Sequence, residues 1–160
     1  MLLLGYKENR GRLYMKISTK GRYGLRILLD LALHEGDSPR MIRDIAESQQ
    51  ISEKYISRLI IELKRAGMVK SIRGAKGGYR LARFPKYLTV LDIVEVMEGP
   101  INIVDCVQDP DACARISGCA TRKMWAKLNE EIRQSLAKIT LQDIVDKTRE
   151  NAGDFVDYCI

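Results

Sequence analysis

The sequence predicts a mainly α-helical fold with one small β-hairpin, and the range from Met41 to Leu81 carries this prediction. A short amphipathic segment, the polar turn Gln49-Gln50 and a longer amphipathic segment capped by Ser52 indicate two consecutive helices. Alternating apolar and polar residues then flank a glycine-rich turn, which indicates a β-hairpin with basic residues at its tip. This order predicts a winged helix-turn-helix, in which the second helix lies in a DNA major groove and the hairpin, or wing, contacts DNA nearby.

The second of these helices is predicted to extend from Glu53 to about Ala66. Gly67 ends it, because glycine adopts the left-handed conformation at a helix C-terminus without strain. We call it the recognition helix, because it is the one predicted to lie in the major groove. Apolar residues at helical spacing give it one core-facing side: Ile56, Leu59, Ile60 and Leu63. Its other side carries Lys54, Tyr55, Ser57, Arg58 and Lys64.

The distribution of charge supports DNA binding by this region. The chain has a net charge of +6, and residues 63–91 include eight basic residues and no acidic one. Residues 100–160 instead carry 8 basic and 10 acidic side chains. A basic run is often only a solvated face, but this one coincides with the end of the recognition helix and with the wing. There it would neutralise DNA phosphates and release counterions.

The part of the chain before the recognition helix begins without clear periodicity. We expect residues 1–14 to be a disordered extension, or the product of a start site assigned upstream of Met15. From Ser18 to about Gly36, apolar residues at helical spacing predict the first helix. Its basic start, with Lys20 and Arg22, suits backbone phosphates, although an exposed polar face explains it equally well.

Beyond the wing, Thr89 caps a predicted helix that ends at Gly99. This helix completes a winged helix-turn-helix DNA-binding domain of residues 15–99. Residues 100–120 are irregular, carry turn signals and contain three cysteines, so we expect a sensor loop there.

Residues 121–160 are predicted to form a dimerisation helix and a C-terminal segment, with a short last helix capped by Thr140. The apolar residues of the long helix step by three, four, four and three positions: Trp125, Leu128, Ile132, Leu136 and Ile139. So narrow a stripe favours pairing with a second copy in a homodimer, and packing within its own domain is the alternative.

The cysteine-bearing loop holds Cys106, Cys113 and Cys119, separated by six and five residues. Thiolates are soft ligands that suit an iron–sulfur cluster or zinc. The spacing is wider than the two-residue knuckles of zinc ribbons, which disfavours zinc, and three incidental cysteines remain the simplest alternative. A cluster needs a fourth ligand, for which the candidates are a group of the other subunit or one of Asp105, Asp109, Asp111, Cys159 and His34.

Several functional classes are disfavoured by the sequence. No stretch is apolar enough to span a membrane or to form a signal-peptide core, so we expect a cytoplasmic protein with reduced thiols. The single histidine is not beside a nucleophile, and the glycines of the wing lie between two strands rather than ahead of a helix. We therefore do not expect an enzyme.

Four segments of the chain resemble the Rrf-two family of bacterial transcription regulators. The matching segments are Met15–Gly24 (MKISTKGRYG), Ile51–Tyr55 (ISEKY), Ser71–Tyr79 (SIRGAKGGY) and Thr140-Leu141. The resemblance covers residues 15–160 and implies a homodimer with a long crossing helix, bound to a roughly palindromic double-stranded DNA operator. It also implies that the recognition helix faces the major groove and that Arg73 enters the minor groove. The predicted DNA contacts are Lys20, Arg22, Ser52, Lys54, Tyr55, Ser57, Arg58, Arg73, Gly74 and Lys76.

The resemblance also bears on the cysteines, because Cys106, Cys113 and Cys119 match three cluster ligands of the IscR-like branch. It implies an iron–sulfur cluster of the 2Fe-2S type. That branch has a histidine three residues after its last cysteine, where this chain has Arg122. Arg22 also occupies a position where other members supply a ligand, as does Arg26 in the same helix. An arginine does not ligate iron, so the fourth ligand stays unassigned.

Two functions are therefore compatible with one predicted fold. The cysteines favour a regulator that senses iron–sulfur or redox status through a loop-bound cluster. The first helix and the tail instead resemble CymR-like members, which carry no cluster and act through a partner enzyme of cysteine synthesis.

Overall fold

The structure is a computed structural model that describes residues 17–36 and 38–154, with side chains as far as residue 151. The predicted extension of residues 1–14 and Cys159 lie outside the described residues. The helices are α1 (Thr19–Leu33), α2 (Ile42–Gln49), α3 (Glu53–Arg65), α4 (Val90–Glu98), α5 (Asp105–Gln108), α6 (Ala120–Ala137) and α7 (Leu141–Asp154). The strands are β1 (Val69–Ile72) and β2 (Gly78–Leu81). This mainly helical chain with one hairpin confirms the predicted fold class.

Helix starts are fixed by side-chain caps at the predicted residues. The Ser18 hydroxyl accepts a hydrogen bond from the Lys20 amide at the start of α1. The Ser52 hydroxyl accepts one from the Tyr55 amide at the start of α3. Thr89 and Asp92 cap α4 reciprocally, each side chain accepting from the other's backbone N–H. Caps of this kind satisfy amide donors that a helix cannot pair internally.

The wing is an antiparallel hairpin in which Val69 pairs with Leu81 and Ile72 pairs with Gly78. The segment before α2 extends this sheet, because Arg40 and Tyr79 exchange two backbone hydrogen bonds of 3.1 and 2.8 Å. A Cβ atom at Gly78 would lie 2.5 Å from the Arg40 carbonyl oxygen. Only glycine therefore allows the wing to approach the entry to α2 this closely.

The core is formed by α1, α3 and α4, with the wing and α7 packed around them. Ile27 and Leu28 of α1 are fully buried. Leu141 and Val145 of α7 belong to the same core. The Leu141 amide donates to the Leu88 carbonyl oxygen at 2.8 Å, which anchors the start of α7. The last helix, which was predicted to be short, is 14 residues long, and Leu141 and Val145 in its first two turns pack in the core.

A buried carboxylate joins α1 to α2. Asp30 is 3% exposed and accepts hydrogen bonds from Arg40, Ser48 and Gln49. Burial raises the pKa of Asp30, but these three hydrogen-bond donors and the Arg40 charge outweigh it and hold the pKa below its ordinary value. The ionised carboxylate is therefore the form that this packing stabilises.

We expect Asp30→Asn to lower the free energy of unfolding by on the order of 3 kcal/mol, because it leaves the Arg40 guanidinium without its counter-charge. Urea denaturation at neutral pH measures this. Asp146→Asn is the matched control, since Asp146 is exposed and accepts from Gln142 within α7.

The difference between wild type and Asp30→Asn should also depend on pH. Because the pKa of Asp30 is lowered in the folded state, its carboxylate contributes its full stabilisation at pH values above the ordinary aspartate pKa of about 4. This contribution is lost as the pH falls through the folded-state value. Equal midpoints for the two proteins at neutral pH would show that the Asp30 carboxylate does not hold α1 to α2.

Candidate nucleic-acid interface and cysteine segment

The recognition helix α3 has one core side and one exposed basic side. Ile56, Leu59, Ile60 and Leu63 are buried, as predicted from their spacing. Lys54 and Arg58 are exposed on the opposite side, and Lys64 and Arg65 are exposed in the last turn. The helix therefore presents cations to solvent where the sequence predicts DNA contacts.

The two predicted serine contacts have hydroxyls that the helix already uses in part. The Ser52 oxygen accepts from the Tyr55 amide at 3.4 Å, so its own O–H stays available as a donor. The Ser57 hydroxyl donates to the Glu53 carbonyl oxygen at 2.8 Å, so its oxygen stays available as an acceptor. The two serines would thus offer opposite hydrogen-bonding roles to a ligand.

Tyr55 of α3 is half-buried and packs against α1. Its ring meets the Tyr23 ring edge to face, with centroids 5.9 Å apart. The Arg26 guanidinium lies over the Tyr23 ring at 5.4 Å and also donates to Gln49. The predicted contact Tyr55 therefore also fixes the recognition helix on α1.

The basic start of α1 is more constrained than the sequence indicates. The Lys20 ammonium lies 2.6 Å from the Glu62 carboxylate of α3, so it is already paired. Arg22 is exposed, and its Nε donates to the Ser18 carbonyl oxygen at 3.4 Å. Of these two predicted contacts, Arg22 is the one whose side chain extends into solvent.

Glu98, the last residue of α4, holds the N-terminus of α1. One oxygen of its carboxylate accepts from the Ser18 amide, the Ser18 hydroxyl and the Gly21 amide, at 3.1, 2.6 and 2.8 Å. A carboxylate is stabilised at a helix N-terminus by unpaired amides and by the helix dipole. A Cβ atom at Gly21 would lie 2.7 Å from this oxygen, so a larger residue there would displace the Glu98 carboxylate from these hydrogen bonds. Sequence reasoning missed this contact.

The wing places its predicted contacts in solvent. Arg73, Gly74 and Lys76 are all exposed at the tip of the hairpin. Gly74 has φ of +121°, a conformation that favours glycine. The Gly77 amide donates to the Gly74 carbonyl oxygen at 2.9 Å and closes the turn. The two cations are thus carried by a short, fixed turn rather than by a long loop.

The three predicted metal-binding cysteines are spread along residues 100–120. Cys106 lies in α5 and is half-buried, Cys113 is exposed, and Cys119 precedes the first residue of α6. Across the part of the chain that the structure describes, no group of three or more His, Cys, Asp or Glu side chains could hold a metal ion. The arrangement therefore does not fit a cluster without rearrangement of this segment.

Arg122 links the two ends of the cysteine segment. Its Nε donates to the Cys106 carbonyl oxygen at 2.9 Å. The Cys119 sulfur lies 3.2 Å from the Thr121 hydroxyl. That hydrogen bond and the Arg122 backbone amide lower the pKa of the Cys119 thiol, which favours the thiolate. Thiolates are the form of cysteine that binds metals.

The candidate fourth ligands are not collected around the cysteines. Asp105, Asp109 and Asp111 are exposed, and the Asp109 carboxylate accepts from the Asp111 amide at 2.9 Å. His34 lies at the end of α1, where its Nδ1 is 2.8 Å from the Asp30 carbonyl oxygen. The described residues thus leave the fourth ligand unassigned.

The start of the cysteine segment is tied to α4 and α6. The Glu95 carboxylate pairs with Arg133 of α6 and accepts from the Ile101 amide at 3.2 Å. The side-chain oxygen of Asn129, which is 8% exposed, accepts from the Ile103 amide at 3.1 Å. The sequence does contain a signal for this contact, because Asn129 is an amide residue on the apolar side of an amphipathic helix.

Comparison with known proteins identifies the family. The family model Rrf2, described as "Iron-dependent Transcriptional regulator", matches residues 17–147. The chain belongs to the Rrf2 family. It is 41% identical over 134 residues to the HTH-type transcriptional regulator CymR of Bacillus subtilis, covering 84% of this chain and 92% of that protein. It is 34% identical over 131 residues to IscR of Xenorhabdus nematophila, covering 82% and 79%.

Solved structures of both kinds of Rrf2 regulator match the fold. CymR (YrzC), the global cysteine regulator of B. subtilis, superposes with a TM-score of 0.70 at 39% identity, over 82% of this chain and 97% of that one. T. potens IscR superposes with a TM-score of 0.69 at 40% identity, over 85% and 90%. The chain is therefore a transcriptional regulator of the helix-turn-helix type and not an enzyme. None of the helices in the described ranges has the length and apolarity to cross a membrane.

We expect Arg122→Ala to speed amide hydrogen exchange in α5 by about tenfold, because a charge-assisted hydrogen bond to Cys106 contributes about 1.5 kcal/mol. Hydrogen exchange followed by mass spectrometry measures it. Lys123→Ala is the matched control, since Lys123 is exposed on the same turn. Unchanged exchange in both variants would contradict a role for Arg122 in holding the cysteine segment.

Proposed function

We propose that this Rrf2 regulator binds a roughly palindromic double-stranded operator as a homodimer, with α3 in the major groove and the wing on the adjacent minor groove. The observation that carries the proposal is the exposed basic side of α3 directly opposite its buried core side. Lys54 and Arg58 on α3 and Arg73 and Lys76 on the wing are exposed together on these two elements. Basic side chains supply phosphate contacts, and arginine also recognises bases and narrow grooves.

The surface of α6 supports the homodimer. Asn129 is the one buried residue of α6, all of which the structure describes. Leu128 is 41% exposed, Met124 is 53% exposed and Ile139, just beyond the helix, is 43% exposed. These exposed apolar residues, beside the partly buried Trp125, Ile132 and Leu136, fit pairing with a second copy, which would present two recognition helices to two half-sites.

For the signal, the proposal is that Cys106, Cys113 and Cys119 bind an iron–sulfur cluster of the 2Fe-2S type. The likeness to IscR and the iron-dependent description of the family support it. The described conformation does not gather these thiols, so binding would require the segment of residues 100–120 to close.

The alternative is a cluster-free regulator controlled by a partner protein, such as an enzyme of cysteine synthesis. The observation that favours it is the 41% identity to CymR, which covers 92% of that regulator. The dispersed thiols and Arg122, which bonds to Cys106 where IscR-like members have a histidine, also favour it.

DNA recognition by the wing is tested with variants at two exposed cations of the same turn. On a duplex selected from a random library, we expect Arg73→Ala to weaken binding by about 1–3 kcal/mol, because it removes a groove contact. Lys76→Ala should weaken binding less, and to the same extent on selected and unselected duplexes, because it removes only phosphate attraction. Fluorescence anisotropy at several salt concentrations measures both.

An equal loss for both variants on unselected DNA would show that Arg73 contacts phosphate alone. If the wild-type protein binds no duplex in a salt-dependent way, the proposed DNA-binding function itself is wrong.

The cluster is tested by purification without oxygen, followed by visible absorption and assays of iron and sulfide. We expect Cys106→Ser, Cys113→Ser and Cys119→Ser each to remove the cluster absorbance while the protein stays folded, because serine replaces a thiolate ligand. Ala114→Ser, an exposed change within the same loop, is the matched control and should keep the absorbance. Absorbance retained in all three cysteine variants would contradict the assignment. A wild-type protein that accepts no cluster on reconstitution, yet binds DNA, would select the cluster-free alternative.

A further inference from the structure

The exposed side of α3 carries one large apolar residue among its cations. Ile61 is 50% exposed. Positions 54, 58, 61 and 65 are separated by four, three and four residues, so they fall on one side of a helix with 3.6 residues per turn. Ile61 therefore lies between Arg58 and Arg65, one turn from each, with Lys54 on the same line.

Packing in the core does not explain why an apolar residue is present at position 61. The buried side of α3 is complete with four apolar residues, Ile56, Leu59, Ile60 and Leu63. Ile61 is not among the partly buried hydrophobic residues that pack against that core. A single exposed isoleucine is ordinary on a protein surface, so its exposure alone carries no conclusion. The inference depends instead on the position of Ile61 at the centre of the basic side of the recognition helix.

The chemistry of the major groove offers one apolar group that suits this position. Phosphates and guanine edges attract Lys54, Arg58 and Arg65, whereas the thymine C5 methyl group is the apolar feature of the groove. We propose that Ile61 contacts a thymine C5 methyl group and is a specificity-determining residue of the recognition helix. This inference rests on the proposed DNA-binding function and adds a base preference to it.

Helix geometry indicates where that thymine lies. Ile61 follows Arg58 by three residues, which is about 4.5 Å along the axis at about 1.5 Å per residue. Adjacent base pairs are about 3.4 Å apart. With α3 along the groove, the thymine lies one or two base pairs from the position that Arg58 contacts.

Replacing thymine by deoxyuridine tests this contact, because it removes the C5 methyl group and leaves the hydrogen-bonding pattern unchanged. The probe is a duplex selected by the protein from a random library, with each thymine replaced in turn. We expect one position in each half-site at which deoxyuridine lowers wild-type affinity about fourfold. Ile61→Ala should bind the parent duplex about fourfold more weakly or worse, and deoxyuridine at that position should cause no further loss.

Ile17→Ala is the matched control, since Ile17 is another exposed isoleucine, 42% exposed, that lies before α1 rather than on α3. It should keep the full deoxyuridine effect. Thermal unfolding confirms that both variants are folded.

Two results would overturn the inference about Ile61 alone. In the first, the protein binds a selected duplex in a salt-dependent way, but deoxyuridine at every thymine position leaves its affinity unchanged. In the second, deoxyuridine still lowers the affinity of Ile61→Ala. Failure of the wild-type protein to select any duplex would instead overturn the DNA-binding function on which the inference rests.

Discussion

The buried carboxylate of Asp30 holds α2, the helix that precedes the recognition helix, on α1. It accepts from Arg40 at the entry to α2 and from Ser48 and Gln49 at the end of α2. Arg40 is also hydrogen-bonded to Tyr79 of the wing through its backbone. One side chain of α1 therefore fixes both ends of α2, and through Arg40 it fixes the wing as well. Because α2 leads through a short turn into α3, this carboxylate links α1 to both elements that are proposed to contact DNA.

A second carboxylate, that of Glu98, joins the end of α4 to the start of α1 just before the cysteine segment of residues 100–120. It caps α1 at Ser18 and Gly21 and is followed by Gly99, the last residue before the segment. One turn earlier, Glu95 pairs with Arg133 of α6. The helix α4 thus contacts the start of α1 through one carboxylate and the long helix through another.

Local patterns predicted the helices and strands except α5, which lies in the stretch predicted to be irregular, but they did not predict the contacts between them. Caps at Ser52 and Thr89 and the C-terminal glycine Gly67 depend on neighbouring residues, and the structure has them as the sequence indicates. The pairing of Lys20 with Glu62 joins residues far apart in the chain, and periodicity contains no information about it. The same holds for the return of α7 to the core. Asp30 did leave a signal, since a single acidic residue within the apolar run from Ile27 to Leu33 requires a buried partner.

The choice between the two proposed signals does not depend on the fold. CymR and IscR superpose on this chain with TM-scores of 0.70 and 0.69, so the DNA-binding framework is equally compatible with both. The two proposals differ in the chemistry that they assign to the cysteine segment and the first turn of α6. There, the Thr121 hydroxyl and the Arg122 amide lower the pKa of the Cys119 thiol, and the Arg122 side chain, which bonds to the Cys106 carbonyl oxygen, cannot bind iron. A cluster would therefore need its fourth ligand from outside this turn. The two proposals therefore separate on whether the three thiols can gather with such a ligand, and not on the winged helix.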